Sequence, residues 1–79
     1  MSVLEFNCLG ALKFLGPCSN ADVARHLGVS SSTTYRGIQL LVTAGLATHP
    51  KKQEWIATRL GLTRFEEVKA ATAALRIAE

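Results

Sequence analysis

The residues best suited to chemistry in this chain lie between Ser30 and Thr43. At a helical period, Ser32, Arg36, Gln39 and Thr43 fall on one face, with Tyr35 beside them and Ser31 and Thr33 in the first turn. Thr34, Gly37, Ile38 and Leu41 fall on the opposite face. Arginine can bond bidentately to guanine and glutamine to adenine, each worth roughly 1–3 kcal/mol of discrimination between bases. Hydroxyls at a helix N-terminus suit phosphate, because the terminal N–H groups point the same way. The plainer alternative is that Ser30 to Thr34 only cap a helix and that Arg36 is a solvated surface charge. A buried helix needs only the inward stripe. A helix that reads base edges needs both faces.

A second basic group, Lys51 and Lys52, occupies the segment Pro50-Lys51-Lys52-Gln53. The net charge of +3 is modest, but residues 50–64 alone carry Lys51, Lys52, Arg59 and Arg64 against Glu54. Such a concentration favours a local patch for an anionic partner, although hairpin tips are polar regardless of function. Cys8, Cys18, His26 and His49 lack Cys-x-x-Cys or His-x3-His spacing, so the expectation is reduced thiols, surface imidazoles and no metal. One aspartate, no glycine-rich phosphate loop and no converging carboxylates argue against an enzyme and against a cofactor.

Seventy-nine residues, 48% of them hydrophobic and 19% charged, make one small domain with a core that is only just sufficient. The opening residues lack the basic region of a signal peptide, and Ser2 to Leu15 is too short to span a bilayer. The expectation is a cytoplasmic protein with no membrane association.

Ser2 and Glu5 form a capping box for a helix over 2–15. Its core stripe is Leu4, Cys8, Ala11, Leu12 and Leu15, with Phe6 and Leu9 on one flank and Val3 and Phe14 on the other. Gly16-Pro17 ends it, and Ser19 or Asn20 caps helix 2 over 20–27, with Val23 and Leu27 inward. Gly28 is placed for positive φ, and Ser30 caps helix 3 over 31–44, which Gly45 stops. A wing over 46–59 follows, its strands Leu46 to His49 and Glu54 to Arg59, with Trp55 directed to the core. Thr63 and Glu66 form a further capping box, predicting helix 4 over 64–78 with Val68, Ala71, Leu75 and Ala78 on one face. Helix 1 is apolar on too many sides to be covered within so small a domain. We therefore expect a two-fold homodimer through Val3, Phe6 and Phe14 of helix 1 and that alanine-lined face of helix 4.

Helix, helix, turn, helix, β-hairpin, helix is the order of a winged helix-turn-helix, a mainly α fold with a small β-hairpin. Asn20 to His26, followed by Leu27-Gly28-Val29-Ser30-Ser31-Ser32-Thr33-Thr34-Tyr35-Arg36-Gly37-Ile38 and on to Gly45-Leu46, resembles the DNA-binding domains of IclR-type and MarR-type regulators over about residues 4–64. The resemblance implies a sequence-specific, double-stranded DNA-binding transcriptional regulator with helix 3 in the major groove. Ser31, Ser32, Thr33, Tyr35, Arg36 and Gln39 match its contacting positions, and Lys51 and Lys52 match a wing tip that meets phosphate or the minor groove. Thr34 stands where an aliphatic is usual, and Leu40 and Val42 stand where polar residues are usual. Those two, the apolar helix 1 and the low net charge give the rival reading, a winged helix that contacts a protein partner. Single-stranded nucleic-acid binding is disfavoured by the lack of paired exposed aromatics.

Overall fold

The computed structural model describes the backbone of residues 1–78 and the side chains of residues 1–73. Four helices and a hairpin follow in the order α1 (Val3–Leu15), α2 (Asn20–Leu27), α3 (Ser31–Thr43), β1 (Ala47–Lys51), β2 (Glu54–Ala57) and α4 (Arg59–Ala78). The first three helices start at side-chain caps. Ser2 with Glu5 and Ser19 with Asp22 close reciprocal capping boxes, while the Ser30 hydroxyl accepts from the Thr33 amide. Gly28 and Gly45, at φ 70° and 78°, reverse the chain after α2 and α3 in the left-handed region.

The core is a single cluster in which Cys8, Leu9, Val23, Ile38 and Leu41 are wholly buried, completed by Ala11, Leu12, Leu46, Ala47 and Trp55. Leu9 belongs to this core and not to a flank, whereas Leu15, expected inside, is exposed. The reason is that α1 packs against four elements, α2, α3, β2 and α4. Its buried stripe is therefore wider than one seam. In α2 the buried pair is Val23 and Ala24, with Leu27 packed at the margin of the core.

The wing is shorter than 46–59, and α4 begins earlier than residue 64. Thr58, not Thr63, caps this helix: its hydroxyl accepts from Gly61 N–H at 3.0 Å and donates to the Gly45 carbonyl at 2.7 Å. Arg59, expected at the end of a strand, is the first residue of α4. Close packing dictates that start. A Cβ on Gly61 would lie 1.9 Å from the Leu46 carbonyl oxygen, so only glycine lets α4 cross the start of the wing there.

The hairpin is antiparallel, pairing Ala47 with Ala57, Thr48 with Ile56 and Lys51 with Glu54, with a register shift between Thr48 and Lys51. His49 and Pro50 thus oppose Trp55 alone, a bulge that accommodates a proline with no N–H to give to the ladder. On its other side Trp55 exchanges both backbone hydrogen bonds with Cys18, at 2.8 and 3.2 Å. The segment after α1 is therefore tied to the outer edge of β2 by a single β-bridge. Both cysteines are free thiols, Cys8 buried and Cys18 half-buried, and burial raises the pKa of each above the ordinary thiol value.

Candidate nucleic-acid interface

Helix α3 presents two unlike faces. Thr34, Gly37, Ile38 and Leu41 are buried, while Ser31, Ser32, Tyr35, Arg36 and Thr43 are exposed. Thr33 and Gln39 are half-buried at the edges. The α1–α3 contact is close enough that a Cβ on Gly37 would sit 2.8 Å from Cys8 Sγ and 3.0 Å from Leu4 Cγ. Glycine here brings the two helix backbones together and fixes the rotation of α3 about its axis.

A small polar network sets the N-terminal end of α3 against α2. The wholly buried Thr34 hydroxyl lies 2.7 Å from Asn20 Oδ1 and 3.1 Å from the Ser31 carbonyl, donating toward both. Asn20 Nδ2 donates to the same carbonyl at 2.8 Å. Thr34 therefore replaces an aliphatic residue at no cost in unpaired polar groups. Among the described residues no buried side-chain N or O lacks a partner. Asn20 was read from sequence only as a possible cap. Its latch role depends on the angle between two helices, which no local pattern carries.

The hydroxyls of the first turn serve one another as well as the helix end. Ser30 Oγ lies 2.8 Å from Thr33 Oγ1 and 3.2 Å from Ser32 Oγ, and accepts from Thr33 N–H at 3.3 Å. Ser30 is thus the cap, with Ser32 and Thr33 tied to it. The first turn carries no acidic residue. Its dipole is left without a neutralising side chain, which favours an anion.

Arg36, Lys51 and Lys52 are exposed, and among the described residues none of them forms an ion pair. The pairs that do form, Lys13 with Glu66, Arg25 with Asp22 and Arg64 with Glu67, lie on other helices. Lys51 ends β1 and Lys52 lies in the turn, next to Gln53 at φ 61°. Tyr35 is half exposed, and its ring meets the edge of Trp55 at a centroid distance of 6.4 Å and an interplanar angle of 85°. Leu40 is exposed, whereas Val42 packs against the core. The flank of α3 is thus apolar at one residue, not two.

On α1, Val3 and Phe14 are each 77% exposed. Phe6 is half-buried and stacks on Phe65 of α4 at 4.7 Å, so the chain itself covers much of its ring. Val68 is half-buried and Ala71 exposed, while Leu75 and Ala78 lie outside the residues whose side chains are described. No described helix is long and apolar enough to cross a membrane.

The fold and sequence place the chain among known proteins. A family model described as the IclR helix-turn-helix domain matches residues 8–51, more than half of the chain. No curated protein matches. Among solved structures, the Bordetella bronchiseptica protein BpsR, whose DNA binding is regulated by 6-hydroxynicotinic acid, superposes with a TM-score of 0.85 at 21% identity, over 99% of this chain and 59% of its own. The Mycobacterium tuberculosis MarR-family protein Rv2887 gives 0.81 at 28% identity, over 99% and 61%. HmgR of Pseudomonas aeruginosa gives 0.65 at 26%, over 91% and 29%. The chain therefore spans about three-fifths of the length of the first two structures. The architecture is that of winged-helix regulators, and by the match over residues 8–51 the chain belongs to the IclR helix-turn-helix domain family.

Proposed function

We propose that the chain is a sequence-specific double-stranded DNA-binding module of a transcriptional regulator, acting in the cytoplasm. The observation that carries this reading is the two-faced α3. Its inner stripe is locked into the core, and its outer stripe presents Arg36, unpaired among the described residues, beside Ser31, Ser32, Thr33, Tyr35 and Gln39. In the major groove, Arg36 and Gln39 would contact base edges, and the first-turn hydroxyls and N–H groups would meet phosphate. Gln39 is half-buried, so it reaches less far than Arg36. Lys51 and Lys52 at the wing tip would neutralise phosphate on the flank.

A homodimer fits the exposed Val3 and Phe14 on α1 together with Ala71 on α4. Two copies would present two recognition helices to half-sites about 34 Å apart, one helical turn of DNA. The test is a duplex selected from a random pool, titrated with protein by fluorescence anisotropy at several salt concentrations. Tight binding with a steep salt dependence supports the reading. Binding no tighter than to random DNA, or none at all, contradicts it.

A further inference from the structure

We infer that Trp55 is a positioning residue for DNA binding, which fixes the wing against the recognition helix by stacking with His49. A two-stranded hairpin is marginally stable on its own, and this one is poorly buried along β1. Of its five residues only Ala47 is buried; Thr48, His49, Pro50 and Lys51 are exposed. The bulge interrupts the ladder between Thr48 and Lys51, and Pro50 gives it no N–H. The outer half of the wing thus has few backbone or core contacts to set its direction.

The His49 ring supplies one. It lies over Trp55 with ring centroids 4.0 Å apart and planes 21° from parallel. The bulge makes this possible, since it places two residues of β1 opposite the one indole. Trp55 is itself anchored: it is 6% exposed, and Cys18 holds both its N–H and its carbonyl. Its ring also meets Tyr35 of α3 edge-on. His49, Trp55 and Tyr35 therefore form one aromatic chain from the wing to the recognition helix. Lys51 and Lys52 follow His49 by two and three residues in the chain, and Arg36 follows Tyr35 directly. With the stack in place, both sets of cations are held at a fixed separation before DNA arrives, and less conformational freedom is lost on binding.

The inference rests on the DNA-binding reading, and its test separates the two. Three variants of the full chain are compared with the parent: Lys51→Ala with Lys52→Ala, His49→Ala, and His49→Phe. His49 is itself exposed, so its substitutions remove no buried side chain. Salt-dependent affinity for the selected duplex and amide hydrogen exchange of β1 and β2 are measured for each. Loss of both lysine contacts flattens the salt slope, so that between 50 and 200 mM salt the parent loses roughly tenfold more affinity than the lysine variant. His49→Ala is expected to flatten the slope similarly with both lysines present, and to speed hairpin exchange roughly two- to tenfold. His49→Phe, which keeps a flat ring but neither charge nor hydrogen bond, is expected to restore both. Combining His49→Ala with the lysine substitutions should then add little. A parental slope and parental exchange in His49→Ala would overturn the inference, as would a His49→Phe protein as defective as His49→Ala. If the parent shows no salt-dependent duplex binding, the DNA reading itself fails, whatever hydrogen exchange reports about the stack.

Discussion

Asn20 and Thr34 lock the two helices of the turn together, and removing Asn20 should be costly for its size. Asn20→Ala deletes the 2.8 Å bond to the Ser31 carbonyl and the 2.7 Å acceptor of the Thr34 hydroxyl. Each is worth about 1 kcal/mol net. The Thr34 hydroxyl keeps the Ser31 carbonyl at 3.1 Å, so the larger penalty for an orphaned buried donor does not apply. The expected loss is about 2 kcal/mol, or roughly 8–16 °C in Tm for a domain of this length. Thr34→Val should cost about 1 kcal/mol, because the half-buried Asn20 can turn its amide to water. The two changes share one bond, so the double variant should be about 1 kcal/mol more stable than the sum of the single ones predicts. Thermal and urea unfolding at one fixed protein concentration measures all four corners, since self-association would otherwise shift the midpoints. An Asn20→Ala loss below about 0.5 kcal/mol, or strict additivity, would refute the latch.

Other consequences are equally direct. Gly61→Ala should cost at least the roughly 1–3 kcal/mol typical of overpacking, since the clash is with the Leu46 backbone carbonyl and not a flexible side-chain end; circular dichroism and urea titration would show it. Gly37→Ala should also destabilise, but Cys8→Ala, which removes the Sγ at 2.8 Å, should recover part of the loss although it costs stability alone; additive losses would contradict this packing. Hydrogen bonds from the Ser19 backbone and hydroxyl, then Arg25, hold the Asp22 carboxyl below its usual pKa, and Lys13 does the same for Glu66. Their stabilisation is present above the unfolded-state carboxylate values near pH 4 and is lost as pH falls through the lower folded values. Asp22→Asn with Glu66→Gln should therefore flatten the acid side of the stability profile, and an unchanged acid limb would count against both contacts. Sedimentation at tens of micromolar should show a dimer that Phe14→Lys weakens; a monomeric parent would remove the dimer proposal.

Local rules made much of the fold legible before any coordinates. Ser2, Ser19 and Ser30 announce helices because their side chains satisfy amides within three residues, and Gly28 and Gly45 announce turns for an equally local reason. The inner stripe of α3 follows from period alone, and the exposure of Arg36 with it, while Lys51 and Lys52 are exposed because they lie at a hairpin tip. The start of α4 was misplaced because Thr63 with Glu66 imitates a capping box, whereas the true cap, Thr58, depends on Gly45 and on the Leu46 carbonyl beneath Gly61. Long-range pairings were equally hidden. Nothing near Cys18 signals its bond to Trp55, and nothing near His49 signals an indole beneath it. His49 was read as an ordinary surface residue. It is exposed, but it is not idle.

The central claim is that α3 reads bases while the wing holds phosphate, and one comparison of variants tests it. Against the selected duplex, single-base variants of it and random DNA, Arg36→Ala should lose roughly 1–3 kcal/mol on the selected site and relax preference at one base position. Lys51→Ala with Lys52→Ala should weaken every duplex alike and lower the salt slope by about one per lysine, leaving base preference intact. Both proteins should unfold like the parent, because all three residues are exposed and unpaired among the described residues. If both bind every duplex with parental affinity, preference and salt slope, α3 is not the reading element and the account is wrong.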